Sequence, residues 1–208
     1  MGKRISAKSC TVPLCEICNK EFGEKLETSV SKIFKDLESN KGLSENEIEL
    51  LIHWLWKITG LGWVLNHPKG TYTKRYTVKE RSLKRIDNIR VRLVFAVSLI
   101  KTIDPKYGDL PMGVDSTNQI DAIFASGVFS KIVMIVSLKD FEKLIPDNLS
   151  KFYLNEKFEP TSNAKLFFPK VGFKDDVEAV SIIIKISNIL SLLHDFLAIE
   201  LLKTIKKK

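Results

Sequence analysis

The chain holds no phosphate-binding glycine loop, no dinucleotide fingerprint and no nucleophile elbow; the Ser of Gly113-Val114-Asp115-Ser116 has no Gly two residues after it. Enzyme chemistry by this chain alone therefore has no complete candidate site among these motifs. Internal repeats and low-complexity tracts are missing too. Lys3, Arg4 and Lys8 are not followed by the apolar core of a signal peptide, which argues against export and for a cytoplasmic protein with reduced cysteines. The greasiest stretch, 180–202, is broken by Lys185, Asn188, His194, Asp195 and Glu200, groups that are costly in hydrocarbon. It reads as a buried helix and not as a membrane span.

What is present fits a globular protein. Hydrophobic residues make up 44% and charged residues 28% of 208 residues, far from the composition of disorder. A chain of this length buries roughly 70% of its unfolded surface, so neither disulfide nor metal is needed to hold it together. The formal charge of +8 sets up a positive field that attracts phosphates or an anionic surface.

Local patterns predict an α+β fold with an amino-terminal helical pair, a small antiparallel sheet and a long carboxyl-terminal core helix. Phe22, Leu26, Val30, Ile33 and Leu37 recur at helical steps, giving a first helix that starts at 18–20 and stops at 40–42. Ser44 with Glu47 makes a capping box and Leu43 with Ile48 a hydrophobic staple, so a second helix starts at Ser44 and meets a stop at Gly60 or Gly62. Trp54, Trp56 and Trp63 fall on or beside it, suited either to core packing or to a helix contact. Residues 67–76 read as a polar connector and 79–89 as a short helix. The run 91–100 fits helix and strand almost equally, and its β-branched and aromatic content favours strand. A loop over 104–116 precedes two strands, 120–125 and 131–138, around a turn at Ser126-Gly127. A short helix over 141–149 interrupted by Pro146, a strand at 165–168, and a final helix opened by Asp175 and Glu178 complete the reading.

Cys15-Glu16-Ile17-Cys18-Asn19, followed by Phe22-Gly23, Leu26-Glu27, Leu43-Ser44, Trp54 and Lys57, carries the most specific signal. This run, over 10–60, resembles the latter half of a broad bacterial and phage family of HNH-endonuclease-like proteins. There a Cys-x-x-Cys-Asn knuckle leads into a helix bearing Leu-Glu and then a helix with a Trp and a Lys. The resemblance implies a structural zinc held by thiolates from two knuckles, with a neighbouring His and Asn around a catalytic divalent metal. It gives Cys15 and Cys18 as zinc ligands and Asn19 as the catalytic-site Asn. It divides the chain into a partial HNH-like knuckle and helix, 1–42, and an α+β globular body, 43–208. No earlier Cys-x-x-Cys and no Glu-His or Asp-His pair precedes Cys15. Cys10 is a candidate third ligand, with the fourth from His53, His67, His194 or another chain. On this reading the chain derives from an HNH-like endonuclease and is not catalytic alone, cutting DNA with a divalent metal only if another chain supplies the missing half-site.

The cleanest basic stretch runs through Lys69, Lys74, Arg75, Lys79, Arg81, Lys84, Arg85, Arg90 and Arg92, with Tyr72 and Tyr76 interleaved. Lys74, Arg75, Lys79, Arg81, Lys84 and Arg85 are the candidate nucleic-acid contacts, through phosphates, with a tyrosine placed to stack on an exposed base. The same residues also suit a solvated helix face. His194-Asp195 does not make a dyad, because adjacent helical residues point about 100° apart. Asp109, Asp115 and Asp121 suit loop caps better than a metal site, having no calcium-loop spacing. The expectation is a nucleic-acid-associated protein with DNA as partner. The alternative is a protein-interaction module of a defence or mobile-element system, binding another protein chain through an exposed tryptophan patch.

Overall fold

The computed structural model describes residues 16–66, 89–103, 112–113, 123–156 and 166–205. The first described element is a continuous helical rod in three parts: α1 (Glu16–Phe22), a π-helical turn (Gly23–Glu27) and α2 (Thr28–Glu38). Phe22, Leu26 and Val30 follow at two four-residue steps, which drift off one face of an ideal α-helix by roughly 80°. The π turn absorbs one residue, and Phe22, Leu26, Val30, Ile33 and Leu37 are all buried. Thr28 closes the turn, its N–H and its Oγ1 both donating to the Gly23 carbonyl, the latter at 3.0 Å. The chain reverses at Asn40, in the left-handed region at φ 58°, within the expected stop.

The second helix, α3 (Glu45–Asn66), starts as its sequence requires. Ser44 N–H donates to Glu47 Oε2 at 2.8 Å, Glu47 N–H donates to Ser44 Oγ at 3.4 Å, and Leu43 and Ile48 are buried. The expected stop at Gly60 or Gly62 does not occur. A glycine costs a helix interior about 1 kcal/mol, too little to end a helix whose Leu51, Ile52, Leu55 and Trp56 are fully buried.

Among the described residues six strands follow: β1 (Leu93–Thr102), β2 (Met112–Gly113), β3 (Ala125–Phe129), β4 (Ile132–Leu138), β5 (Ser150–Tyr153) and β6 (Val171–Asp175). Their order is β2-β3-β4-β1-β5, and the far edge of β1 is shared. Its Val94–Val97 half pairs antiparallel with β5, while Leu99–Thr102 runs parallel to β6. All other pairings are antiparallel. The fold is thus α+β, with a mostly antiparallel sheet. β1 begins at Leu93 and not at 91, because Arg90–Arg92 form a 3-10 turn.

The expected turn at Ser126-Gly127 is instead the middle of β3, and the hairpin reverses at Ser130-Lys131, with Ser130 at φ 50°. Ser126 is tolerated inside a strand because its hydroxyl shares a 2.6 Å hydrogen bond with Ser187 of the last helix. The short helix after β4 is a 3-10 segment, Lys139–Leu144, which ends ahead of Pro146. Of the expected strand at 165–168, the described residues keep one bridge, Phe167 to Leu43. The short helix expected over 79–89 lies, up to residue 88, outside the described residues, as do the connector 67–76, the loop 104–111 and 114–116, and the strand start at 120–122.

The last helix, α4 (Asp176–Ile205), is capped by Asp175, whose Oδ1 accepts from Glu178 N–H at 2.9 Å. The helices lie on opposite faces of the sheet. Leu93, Phe95, Val97 and Leu99 of β1 join the core made with α2 and α3, whereas Val94, Ala96 and Ile100 join the core made with Ala179, Ile183, Ile186 and Leu190 of α4. Among its described side chains, the opposite side of α4 leaves Val177, Ile184, Ile189 and Leu192 exposed. Gly172 marks the closest approach of β6 to its neighbours: a Cβ there would fall on the Asn148 carbonyl, and its N–H donates to Ser98 Oγ at 2.9 Å.

Candidate functional site

The residues that carry the resemblance converge. Leu26 and Glu27 sit on the π turn, and the turn places Glu27 so that its Oε1 accepts from Lys57 Nζ, an ion pair between the rod and α3. Lys57 is almost entirely buried, and its ammonium also lies 5.0 Å from the centre of the Phe22 ring. Phe22 and Leu26 are fully packed beneath it. Asn19 is exposed on α1, next to the Lys20–Glu24 pair at 3.8 Å. Ile17 is exposed as well. The knuckle end of the rod thus faces solvent, while the Leu-Glu and Lys end is clamped into the core.

Cys10 and Cys15 lie outside the described residues, and Cys18 falls within α1 with its side chain outside what is described. Among the described residues no three His, Cys, Asp or Glu side chains group in a way that would hold a metal ion. His53, one of the histidines considered as a fourth zinc ligand, is packed edge-on against Trp56 with ring centres 6.1 Å apart, and its Nε2 faces Glu49 at 3.7 Å.

A second cluster escapes sequence reasoning. Arg90, the residue before the exposed Val91, is buried and donates from Nη2 to Glu45 Oε1 at 2.9 Å, from Nη1 to Glu49 Oε2, and from Nε to the Asn155 carbonyl at 3.2 Å. Asn155 returns its own N–H to Glu45 Oε1 at 2.9 Å and its Nδ2 to Glu45 Oε2 at 2.7 Å. Burial pushes the Glu49 pKa up, but the facing His53 ring and the Arg90 guanidinium outweigh it and hold the carboxyl below its ordinary range. The network fastens the end of the basic stretch to the start of α3. Arg92 is exposed and pairs with Asp140 at 3.4 Å. Arg90 is thereby closed to a phosphate, whereas Arg92 keeps its exposure, with only a surface pair to Asp140. The signal was present in Glu45 and Glu49, four residues apart and so on one face of α3.

Lys74, Arg75, Lys79, Arg81, Lys84 and Arg85, with Tyr72 and Tyr76, lie outside the described residues, as do Asp109, Asp115 and Asp121 and the side chains of His194 and Asp195. Trp54 and Trp56 do not form an exposed patch. Trp56 is fully buried with its Nε1 donating to the Ile123 carbonyl at 2.7 Å, and Trp54 packs edge-on between Phe34 at 5.2 Å and Phe129 at 4.6 Å. The Trp63 side chain is outside what is described. Among the described residues no helix is long and apolar enough to cross a membrane.

One open depression lies on the outer face of the rod, lined by Glu27, Thr28, Ser31, Lys32 and Lys35. No family model, curated protein or solved structure matches the chain.

Proposed function

We propose that this is a nucleic-acid-associated protein related to HNH-type endonucleases, with Cys15, Cys18 and Asn19 as the remaining knuckle and no complete catalytic centre of its own. The observation that carries the reading is the Glu27–Lys57 pair. Two residues on which the resemblance rests, thirty positions apart, meet beside Phe22 and Leu26 as one packed helical unit. A chance match of motif letters gives no reason for such a meeting. The +8 charge supplies the sequence-independent attraction to phosphates.

The test is binding of a labelled DNA duplex across a salt series. Affinity is expected to fall steeply as salt rises, at about 0.9 log units per log unit of salt for each phosphate contacted. Absent or salt-independent binding would count against the reading. Metal analysis of the wild type and of Cys15→Ser and Cys18→Ser addresses the knuckle separately: zinc lost in both variants supports it. Cleavage assayed in magnesium or manganese is expected only when a second chain supplies the missing His.

A second reading, a protein-interaction module, is favoured by the exposed Val177, Ile184, Ile189 and Leu192 on α4 and not by the tryptophans. Light scattering of the purified chain, alone and with a candidate partner, separates it from the first.

A further inference from the structure

The acids and lysines of the helical rod are unevenly matched. On the π turn Glu24 pairs with Lys20 and Glu27 with Lys57; on α2 Asp36 is held by Lys41 at 2.6 Å and Glu38 accepts from Ser130 Oγ at 2.9 Å. Each acid of this stretch is therefore engaged elsewhere. Lys32 and Lys35 are left over: among the described residues neither ammonium has an ion-pair partner and the Ser31 hydroxyl has no hydrogen-bond partner. The Asp36 carboxyl lies below its ordinary pKa first through its hydrogen bond from Lys41, with Lys32 adding only a longer-range attraction.

Ser31 and Lys32 each stand three or four residues from both Thr28 and Lys35, so the four share the stripe of α2 opposite Val30, Ile33 and Leu37. With Glu27 they line an open depression of about 510 Å³. Its carboxylate is turned to Lys57 and its Thr28 hydroxyl is committed to the Gly23 carbonyl, leaving two free ammonium groups and one free hydroxyl as the donors. Donors without a competing acceptor, in a shallow and open site, match a phosphodiester backbone and give no means of reading a base. We infer that Lys32, Lys35 and Ser31 form a phosphate-contact site for a nucleic-acid backbone, separate from the 69–92 stretch. This inference rests on the nucleic-acid reading above.

The experiment is fluorescence anisotropy with a fluorescein-labelled DNA duplex across a salt series, comparing wild type, Lys32→Ala/Lys35→Ala, Lys32→Arg/Lys35→Arg, and the control Lys131→Ala/Lys174→Ala. The control removes the same charge from exposed positions elsewhere. The first variant is expected to lower the slope of log affinity against log salt by about 2, and to do so for every duplex sequence. The arginine pair is expected to keep the wild-type slope, and the control to change it much less. A wild type that binds while the alanine pair keeps its slope, or a control that loses as much, overturns the site and leaves the wider reading standing. A wild type that binds no duplex overturns both. Because all four lysines are exposed, tryptophan fluorescence identical to wild type is expected of every variant, which keeps loss of binding distinct from loss of fold.

Discussion

Arg90 shows how far a residue's role can sit from its neighbourhood in the sequence. In the chain it belongs to a run of basic residues, yet in the fold it lies between Glu45 and Glu49, with its side chain 6% exposed and theirs 16% and 18%. Removing a buried charge strands its partners, which costs more than the pair itself contributes. Arg90→Met is expected to lower the unfolding free energy by about 3 kcal/mol at neutral pH. The penalty has a pH dependence of definite sign. Glu49 is held below its ordinary value of 4.5, so its contribution is present above that value and is lost as pH falls through the lower folded-state value. In acid the stranded Glu49 carboxylate takes up a proton, so the gap between variant and wild type is expected to narrow below about pH 4.5 in urea titrations. A gap of constant size down to pH 3 would show that the guanidinium acts by packing and not by charge.

At the scale of elements, the capped helix starts and the stop at Asn40 were legible, whereas the end of α3 was not. The Ser44–Glu47 box and the Asp175 cap are local chemistry, readable from three or four neighbouring letters, and both are made in the fold. The end of α3 depends on what the helix packs against, and Gly60 and Gly62 carry no record of that. β1 was ambiguous for a physical reason as well. Both of its faces are covered, so its residues are apolar without alternation and a strand looks like a buried helix. The π turn was hidden in plain view, in the two successive four-residue steps of Phe22, Leu26 and Val30. The candidate site divides in the same way: the motif letters of Glu27 and Lys57 were visible, but their pairing needs the tertiary fold. Gly23 opens the π turn with nothing within 4 Å of where a Cβ would stand and without a positive φ. Gly23→Ala is therefore expected to raise stability by about 0.5–1 kcal/mol, through helix propensity and a less flexible unfolded chain. Thermal unfolding checks this, and a lowered midpoint would show that the turn needs glycine for reasons other than space.

The whole molecule is organised around β1. Its buried apolar residues at odd positions belong to the core shared with α2 and α3 and those at even positions to the core shared with α4, and β4 divides likewise with the parity reversed. Composition and periodicity indicated both helices and sheet, but not that one sheet would be covered on both sides, because that assignment depends on where α4 returns. A strand common to two cores couples them, since neither can lose its half of β1 without exposing the other half. Of the tryptophans, Trp54 and Trp56 belong to the core shared with α2 and α3, so their fluorescence reports that side. Ile183, fully buried, belongs only to the α4 side. Ile183→Ala is expected to cost about 2–4 kcal/mol and, although it touches no tryptophan environment directly, to move the fluorescence midpoint in urea by the same amount as the far-UV circular dichroism midpoint. Such coincidence is the signature of one cooperative unit. A fluorescence transition that stays in place while the dichroism becomes biphasic would mean that α4 peels from the sheet by itself, and that the two cores are separately stable layers on a shared strand.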